Sequence, residues 1–424
     1  MKGGPLEGIR VLELSQIIAG PFCGQNLADM GADVVKIEPP GGEGMRILGQ
    51  FTPGESKSFH ALNRGKRSIV LDLKNPEAQA VVHRMITDFD VFIVNSRFGV
   101  TKRLNIDYDT LKKYRPDLVY LDNTGYGSSG PSAERSGSDI VAQAFSGLMA
   151  GDKKIDEIGA PSAISASPIG DYTAGLAGAM GIVSALFHRQ KTGEGQLITS
   201  SLLQAALAIQ GTSVSKLPMA DKIMLDPMMK KVNAIRERGG SYAEQLAAKT
   251  HMMGASMRLY YGGYPVKDGA ILLGALTPRN REQMRRALGI EDEPTGSPDF
   301  NPLDPTNDPI VETVFEKIQS IMREKTMDEW IAIFDKEGAP VGKVNMPEEM
   351  IHEAQVQEMG YMYEYEHLVT GPEVMPGPVV NMSVTPTGTE NPAPPLGHHT
   401  NEILIEHGYD VQKISALRDS GAAH

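Results

Sequence analysis

The sequence predicts an α/β protein built on a parallel sheet with helices on both faces. Strand and helix signals alternate through the first half of the chain, and Pro- or Gly-rich stops separate the units. The 424 residues are 41% hydrophobic and 22% charged, which is typical of a globular protein with room for two or three domains. In such a fold, ligands bind beyond the carboxyl ends of the strands.

The N-terminal part contains one compact βαβ unit. RVLEL (residues 10–14) and ADVVKIE (residues 32–38) are short, largely apolar runs typical of buried strands. The segment between them, GPFCGQNLADMG (residues 20–31), has helical spacing. A Pro-Pro-Gly-Gly run at Pro39 to Gly42 ends the second strand.

The same alternation continues further along the chain. SIVLDL (residues 68–73) and DVFIVN (residues 90–95) are predicted strands, and PEAQAVVHRMITDF (residues 76–89) is a predicted helix with proline at its start. Residues 109–123 have the pattern of a helix followed by a strand. The predicted strand ends hold Ser15 to Pro21, Glu38 to Arg46, Asn95 to Arg97 and Asn123 to Gly127.

The second half of the chain differs from the first in composition and in predicted secondary structure. Residues 210–260 are rich in methionine and charge, with helical but no strand character, and are interpreted as a linker. A predicted hairpin over residues 260–275 turns at an Asp-Gly pair, and predicted helices follow over residues 278–289 and 316–338. From residue 370 the chain is extended and proline-rich with little core of its own, so we expect it to lie on another surface.

Charge and cysteine content exclude several classes of protein. The net charge is -12 without a dense block of Lys or Arg, which argues against a nucleic-acid partner. The single cysteine, Cys23, cannot form an internal disulfide, so we expect a reducing, cytoplasmic location. The N-terminus lacks the apolar region of a secretory signal, and the apolar stretch after Asp171 is shorter than the roughly 20 residues that span a bilayer, so no membrane is expected.

Common nucleotide and metal motifs are missing from the sequence. No GxGxxG follows the first predicted strand, and no GxxxxGK[ST], HExxH or GxSxG occurs. His398 and His399 are adjacent in a loop, a spacing poorly suited to one metal ion, and are interpreted as part of a loop that ties down the C-terminal helix. We therefore expect no metal site.

The stretch SPIGDYTAGLAGAMG begins an uncharged run with a carboxylate, Asp171. An aspartate at a helix start most often caps the helix. The positive end of the helix would also hold the carboxylate ionised, as a nucleophile requires. Gly175, Gly178 and Gly181 give this helix a smooth face for close packing. Spacing alone leaves both roles of Asp171, cap and nucleophile, open.

Four ordered segments of the chain resemble the class III CoA-transferase family, which includes formyl-CoA transferase and carnitine CoA-transferase. They are PLEGIRVLELSQIIAGPFCGQNLADMGADVVKIEPPGGEGMR, NRGKRSIVLDLKNPEAQ, GDYTAGLAGAMGIVSALFHRQKTGEGQLITSSL and APPLGHHTNEILIEHGYD. The resemblance extends through nearly the whole chain and is strongest over residues 5–205 and 390–415.

The resemblance implies a Rossmann-like large domain with a parallel sheet plus a smaller α+β domain, joined by long linkers. Each chain would form an open ring threaded through its partner, which gives an interlocked homodimer. The implied parts are a large CoA-binding domain over residues 1–205 completed by 390–424, a linker over 206–255, a small domain over 256–335 and a return linker over 336–389.

The resemblance also implies a covalent mechanism with Asp171, at the GD-x-x-x-G position, as nucleophile. Its attack on an acyl-CoA thioester would give an aspartyl mixed anhydride and then an aspartyl-CoA thioester, from which a second carboxylic acid takes the CoA. CoA thioester is then a substrate, and no permanently bound cofactor is expected. Backbone N–H groups near Gly170 or at the Ala19-Gly20 turn are expected to support the oxyanion.

By position in the family pattern, CoA is expected along the predicted strand ends. The residues so implied are Ile17, Ile18, Ala19, Arg46, Leu71, Asp72, Leu73, Lys74, Asn95, Ser96, Arg97, Arg103, Ser138 and Asp139. Arg46, Lys74, Arg97 and Arg103 are the expected phosphate partners, although each also fits a solvated surface charge. Formyl-CoA transferases carry an arginine where this chain has Pro39, and Arg46 is expected to replace it.

Two other functions stay open at this point. The α-methylacyl-CoA racemases of the same family use a histidine in a GHD segment, where this chain has Ser138, a hydroxyl poorly suited to proton transfer near neutral pH. Asp139 follows and is interpreted either as orienting the site or as a helix cap. A CoA-thioester binding protein without turnover is the third alternative.

The predicted small domain departs from the formyl-CoA transferase pattern. The glycine run that closes over the acyl intermediate is reduced to Gly262-Gly263, which indicates a different acid. Arg258, Tyr260 and Tyr261 are interpreted either as partners of a carboxylate or as part of a core-facing strand. A set of methionines is interpreted either as an adaptable acyl pocket or as core filling. These are Met219, Met224, Met228, Met229, Met252, Met253 and Met257.

Overall fold

The computed structural model describes residues 3–223, 225–249, 255–302 and 304–424. The chain divides into two compact units. The larger unit combines the residues through Ser215 with Ala354–His424, and the smaller unit spans Lys216–Glu353. Met224, Met252 and Met253 lie outside the described residues.

The larger unit is built on a six-stranded parallel sheet, so the predicted α/β architecture is confirmed. Its strands are β1 (Arg10–Leu14), β2 (Asp33–Glu38), β3 (Lys66–Val70), β4 (Val91–Val94), β5 (Val119–Thr124) and β6 (Leu197–Ser201). They lie in the order β3-β2-β1-β4-β5-β6, and every neighbouring pair is parallel. The direction of winding reverses between β1 and β4, which opens a crevice beyond the carboxyl ends of the strands.

Helices cover both faces of this sheet. The three that concern the site are α1 (Ala19–Asp29), α2 (Asp139–Phe145) and α3 (Ile169–Thr192). Helices α1 and α3 pack over a core that includes Val11 of β1 and Leu121 of β5. Leu12 points to the opposite face, where it joins a second core with residues of the helices Pro76–Met85, Thr400–Glu406 and Val411–Asp419.

Two glycines of α3 allow it to lie close to its neighbours. A Cβ atom at Gly175 would lie 2.9 Å from the carbonyl oxygen of Ala19, and one at Gly178 would lie 2.8 Å from Cδ2 of Leu121. Neither position has room for a larger side chain. The start of α3 is therefore held against the start of α1.

Three predicted elements have different bounds. The strand predicted over residues 68–73 ends at Val70, because Leu71 leaves the sheet to bridge Ala423. The helix predicted over 76–89 ends at Met85 and continues as a 3-10 turn. The helix predicted over 316–338 is two helices, Asp308–Met322 and Met327–Glu337, because the side-chain oxygen of Thr326 accepts the backbone N–H of Glu329 and caps the second helix.

The smaller unit contains a three-stranded antiparallel sheet. Ala270–Gly274 lies between Tyr261–Pro265 and Val341–Lys343, which confirms the predicted hairpin. The α-helices of this unit are Pro218–Asp221, Leu225–Glu237, Tyr242–Ala247, Pro278–Leu288, Asp308–Met322 and Met327–Glu337. Shorter 3-10 helices span Ala255–Leu259, Pro294–Gly296, Pro305–Asn307 and Pro347–His352.

Two of the three polar side chains proposed for the small domain are engaged within that unit. Tyr260 is buried in its core, where the hydroxyl donates to Oε1 of Glu293 (2.9 Å), and Arg258 forms an ion pair with Glu312. Tyr261 is exposed. Of the predicted methionines that are described, Met219 is exposed, and the half-buried ones are Met228, Met229 and Met257.

The C-terminal part of the larger unit returns along its surface. It begins with Ala354–Glu358 and the antiparallel hairpin of Met362–His367 with Gly371–Pro376. The extended stretch that follows lies on the larger unit as predicted, since Gly388 N–H donates to the carbonyl oxygen of Asp29 (2.6 Å).

The larger unit also contains shorter elements before its C-terminal part. They are Gly44–Ile47, Gln50–Thr52, Glu55–Ser56, Lys57–Asn63, Val100–Arg103, Tyr108–Leu111, Leu148–Asp152, Leu202–Ala208 and Gly211–Val214.

Among the described residues, α3 is the one helix whose length and composition would suit a membrane span. Half of its most apolar window is buried inside the structure, as in the core helices of globular domains.

Candidate active site

A cleft of about 270 Å³ opens at the carboxyl edge of the sheet. Its walls come from the segments that follow β1, β4 and β5, from the start of α2, and from Asp171 and Leu202. This is the reversal point between β1 and β4, where doubly wound sheets bind their ligands.

Asp171 is the third residue of α3 and is 8% exposed. Its backbone N–H donates to Oδ1 of Asp139 (3.0 Å), and the backbone N–H of Ala19 bonds its carboxylate. A Cβ atom at Gly170 would lie 2.6 Å from the same Oδ1, so only glycine allows this approach. Pro168 holds the N-cap position, so Asp171 is a first-turn residue rather than the cap.

Asp139 is the first residue of α2 and is buried. Besides the N–H of Asp171, its carboxylate accepts a hydrogen bond from Nε2 of Gln143. Ser138 precedes it at the N-cap position and makes no side-chain capping bond. Asp139 therefore ties the start of α2 to the start of α3.

Burial and the neighbouring Asp139 carboxylate raise the pKa of Asp171 to about 7, against a smaller opposite effect of the Ala19 N–H. The expectation that this carboxylate is simply kept ionised is therefore wrong, because burial and the neighbouring carboxylate of Asp139 together outweigh the hydrogen bond from Ala19. At neutral pH such a group is ionised about half of the time, and its carboxylate is more basic than an ordinary aspartate.

The loop between β1 and α1 has a strained backbone. Ile17 has a φ of 68°, in the left-handed region that a β-branched residue rarely adopts. Its N–H donates to Oε2 of Glu43 (2.9 Å), and the Asn95 amide accepts from Gln16 N–H (2.9 Å) and donates to Gln16 O (2.7 Å). These bonds offset a backbone cost of about 1–3 kcal/mol and set the position of Ala19.

A buried charge network lies beneath this loop. Lys36 Nζ donates to Oε1 of Glu13 (3.0 Å) and to Ser15 O (2.9 Å), and it lies 3.4 Å from Oε1 of Glu43. Lys66 Nζ lies 2.9 Å from Oε2 of Glu13. Burial acts to raise the pKa of Glu13, but the two lysines outweigh it and lower that pKa. The ionised network anchors the loop from below.

The cleft brings together eight of the predicted site residues: Ile17, Ala19, Asn95, Ser96, Arg97, Ser138, Asp139 and Asp171. The remaining seven predicted residues do not line it: Ile18, Arg46, Leu71, Asp72, Leu73, Lys74 and Arg103. Ile18 is instead buried against Met45 and Phe59.

Arg46 is fully buried and bound within the protein, so the expected phosphate contact is not available to it. Its Nε lies 2.6 Å from Oε2 of Glu38, and its Nη2 donates to Oε1 of Glu38 and to Pro394 O, each at 2.8 Å. The guanidinium also lies over the ring of Phe59, 3.6 Å from its centroid. Arg46 therefore joins the end of β2 to the C-terminal segment.

The segment from Leu71 to Lys74 also has a structural role. Leu71 and Leu73 belong to the hydrophobic core, and Asp72 N–H donates to Ala422 O (3.0 Å). Lys74 and Arg103 are exposed outside the cleft, as solvated charges are. Of the four phosphate partners expected from the family pattern, Arg97 is the one that lines this cleft, and Lys74 and Arg103 stay predictions outside it.

The fold places Gln16, Glu43 and Arg135 in or beneath the cleft. The sequence put Gln16 and Glu43 within the predicted strand ends without giving either a role, and it did not single out Arg135. Arg135 precedes the SGSD stretch directly, and this nearness to Asp139 is the one local signal for it. Glu43 lies 26 residues from Ile17, so only the tertiary structure reveals their hydrogen bond.

Among the described residues, Glu55, His60 and His367 form one buried cluster of metal-ligand type. Three of its four histidine nitrogens are already hydrogen-bonded within the protein. His60 bonds Glu55 (2.8 Å) and Glu373 (2.6 Å) through its two nitrogens. Nδ1 of His367 accepts the backbone N–H of residues 369 and 370, which leaves its proton on Nε2 and no lone pair there for a metal. The cluster fits a hydrogen-bonded junction rather than a metal site.

Comparison with known proteins agrees with this architecture. Residues 6–400 match the family described as CoA-transferase family III. The chain is 32% identical to the succinate–glutarate CoA-transferase of Agrobacterium fabrum (95% of each chain) and 28% identical to the (R)-2-hydroxy-4-methylpentanoate CoA-transferase of Clostridioides difficile (98% of each). The crystal structure of a CAIB/BAIF family protein from Brucella suis superposes with a TM-score of 0.75 at 26% identity, covering 96% of this chain and 100% of that one.

The chain therefore belongs to CoA-transferase family III, as the sequence segments predicted. It is an enzyme that transfers CoA between an acyl-CoA and a carboxylate.

Proposed function

We propose that this CoA-transferase works through covalent intermediates on Asp171. A carboxylate oxygen of Asp171 attacks the thioester carbonyl carbon, the C–S bond breaks, and CoA leaves as thiolate from an acyl-aspartyl anhydride. The thiolate then attacks the side-chain carbonyl carbon of Asp171, and the donor acid leaves as a carboxylate. An acceptor carboxylate removes the CoA by the reverse steps, so no proton and no resident cofactor is consumed.

The position of Asp171 is the observation that carries this proposal. Its carboxylate lies in a cleft at the carboxyl edge of the sheet, largely shielded from water, and a shielded site protects an anhydride from hydrolysis. Ser138 lines the same cleft where a racemase of this family would need a histidine, which disfavours racemisation by that route.

Arg97 is the proposed partner of the CoA phosphates. It is exposed in the segment after β4 and lines the cleft beside Asn95 and Ser96. A guanidinium at the rim can bind phosphate oxygens in pairs while the thioester end of CoA reaches Asp171.

The acids exchanged are proposed to be short dicarboxylic acids. Several similar enzymes are named for succinyl-CoA with glutarate, citramalate or malate, all of which carry a second carboxylate. Arg135 lines the cleft with Asp171 and has no ion-pair partner among the described residues. Its guanidinium lies 5.9 Å from the ring centroid of Tyr126 and 5.7 Å from that of Phe145, which supports the cation without neutralising it.

Replacing Arg135 with glutamine is expected to lower kcat/KM for succinyl-CoA by about 100-fold, the value of a charge-assisted hydrogen bond pair. Butyryl-CoA has the same chain length without the second carboxylate, so its kcat/KM should change less than threefold, or about 0.6 kcal/mol. Arg97→Gln is the control, because it should lower kcat/KM for succinyl-CoA and for butyryl-CoA by the same factor. If Arg135→Gln lowered kcat/KM equally for succinyl-CoA and butyryl-CoA, the assignment of Arg135 to the second carboxylate would be contradicted.

The activity is expected to depend on pH through Asp171. The pKa of Asp171 is about 7. Below pH 7, kcat/KM should therefore fall tenfold for each pH unit, because the nucleophile becomes protonated. Asp139→Asn removes the neighbouring negative charge and keeps an oxygen to accept the Asp171 N–H, so the acidic limb should move to lower pH. A pH–rate profile of both proteins measures this, and an unmoved limb would rule out the coupling.

We further propose a homodimer in the cytoplasm. Leu176, Met180, Val183 and Phe187 form an exposed apolar stripe along α3, which supports burial against a second copy. A single cysteine and a CoA thioester substrate suit a reducing compartment. Light scattering on the purified protein tests the dimer, and a monomeric mass at micromolar concentration would reject it.

Intact-protein mass spectrometry tests the proposed chemistry. Incubation with succinyl-CoA should add a group to Asp171 that hydroxylamine removes, and isotopically labelled glutarate should then be converted to its CoA ester. Solvent deuterium entering the α-carbon of the acyl group, without adduct or transfer, would favour a racemase. Binding without either reaction would favour a CoA-thioester binding protein.

A further inference from the structure

Asn123 stands at the carboxyl end of β5 and lines the cleft that contains Asp171. In a strand, residues two apart point to the same face. Asn123 therefore shares its face with Leu121, which packs against Gly178 of α3. Its carboxamide thus faces the side of the sheet on which the start of α3 holds Asp171.

The carboxamide of Asn123 has no hydrogen-bond partner among the described residues. The residue is 2% exposed, and both Oδ1 and Nδ2 are buried without a partner. Of the described side chains with such unpartnered buried atoms, Asn123 is the one that lines the cleft. By contrast, the buried amide of Asn26 donates to Phe22 O (2.7 Å). An unsatisfied buried amide costs about 1–3 kcal/mol, so the fold gains nothing from this group.

The reaction on Asp171 requires a hydrogen-bond donor for the acyl oxygen. When the carboxylate attacks, the carbonyl π electrons move to that oxygen and form a tetrahedral oxyanion, which returns them as the C–S bond breaks. The Ala19 N–H, one donor expected from the sequence, is engaged by the nucleophile itself.

We infer that Asn123 is a catalytic residue whose Nδ2–H donates to this oxyanion. The inference rests on the proposed aspartyl chemistry. The substrate carbonyl oxygen accepts this N–H, and the bond strengthens as negative charge develops on that oxygen. The free enzyme is then less stable by the free energy of one unpartnered amide, because this donor is held in place for the transition state.

The test compares Asn123→Ala and Asn123→Leu with the wild-type protein. The rate of Asp171 acylation by succinyl-CoA, followed by mass spectrometry, should fall about 10²–10³-fold, the usual effect of removing one oxyanion donor. The KM for acyl-CoA should stay within about threefold, because the bond is weak to the neutral carbonyl oxygen and strong in the transition state. The thermal midpoint should stay equal or rise, since no native hydrogen bond is lost.

Asn26→Ala is the matched control, since its amide is buried and bonded but lies outside the cleft. It should lower the thermal midpoint while the folded protein keeps its acylation rate. Acylation at the wild-type rate in Asn123→Ala would overturn the inference. A lower thermal midpoint in Asn123→Leu, with activity lost in proportion to the folded protein lost, would also overturn it, because the role of Asn123 would then be structural. If the wild-type protein forms no adduct at all, the proposed function itself fails and this inference with it.

Discussion

Replacing Asp171 with asparagine is expected to abolish CoA transfer, with a loss of about 10⁴-fold or more, because an amide cannot form the anhydride. No mass adduct should appear at residue 171 with any acyl-CoA. The nearby carboxylate, Asp139, provides the matched control: Asp139→Asn should retain the adduct, because its role is to bind the Asp171 N–H and modulate its charge. An adduct or residual transfer of more than a few per cent in Asp171→Asn would contradict the mechanism.

The same substitution should stabilise the fold at alkaline pH. The pKa of Asp171 is about 7 in the folded protein and 3.8 in an unstructured chain, so the folded state binds the proton more tightly. Stability contributed by this group is therefore lost as pH rises from about 4 to 7. At pH 8, Asp171→Asn should raise the free energy of unfolding by roughly 4 kcal/mol, since each tenfold change in proton affinity is worth about 1.4 kcal/mol. Denaturant titrations at pH 5 and pH 8 should show the gain shrinking at the lower pH.

Breaking the buried pair of Arg46 with Glu38 is expected to destabilise the protein by about 3–5 kcal/mol. Arg46→Gln leaves the Glu38 carboxylate buried without an ion-pair partner, bonded to Oγ of Ser68 (2.7 Å) and to the backbone N–H of Glu43 (3.4 Å). It also removes the bond to Pro394 O. Urea unfolding measures this loss. The double variant Glu38→Gln/Arg46→Met should recover part of it, because no unpaired charge stays inside.

Lys74→Gln and Arg103→Gln are the matched controls for this experiment. Both cations are exposed, so each substitution should change the free energy of unfolding by less than about 0.5 kcal/mol. A stable Arg46→Gln protein with weakened binding of CoA would contradict the structural role and restore Arg46 as a phosphate partner.

Local patterns accounted for most of the sheet. The bounds of β1 agree with RVLEL and those of β2 with the end of ADVVKIE, because strand propensity and the Pro-Gly stop act over a few neighbouring residues. The GD pair at the start of α3 also has a local signal, since a carboxylate precedes a stretch of this helix that has no charged residue from 172 to 187. The role of Asp171 stayed ambiguous between helix cap and nucleophile, because an aspartate at a helix start has the same local sequence in both roles.

The sequence by itself determined the parallel α/β fold and the family, because periodicity and motif order are properties of the chain. Only the tertiary structure decided that Arg46 is bound to Glu38, that Asp139 lies beside Asp171, and that the Asn123 amide has no partner in the described protein. These facts depend on the desolvation and close approach of groups far apart in the sequence. Charge and hydrogen bonding in a site are set by such distances, which no local pattern contains.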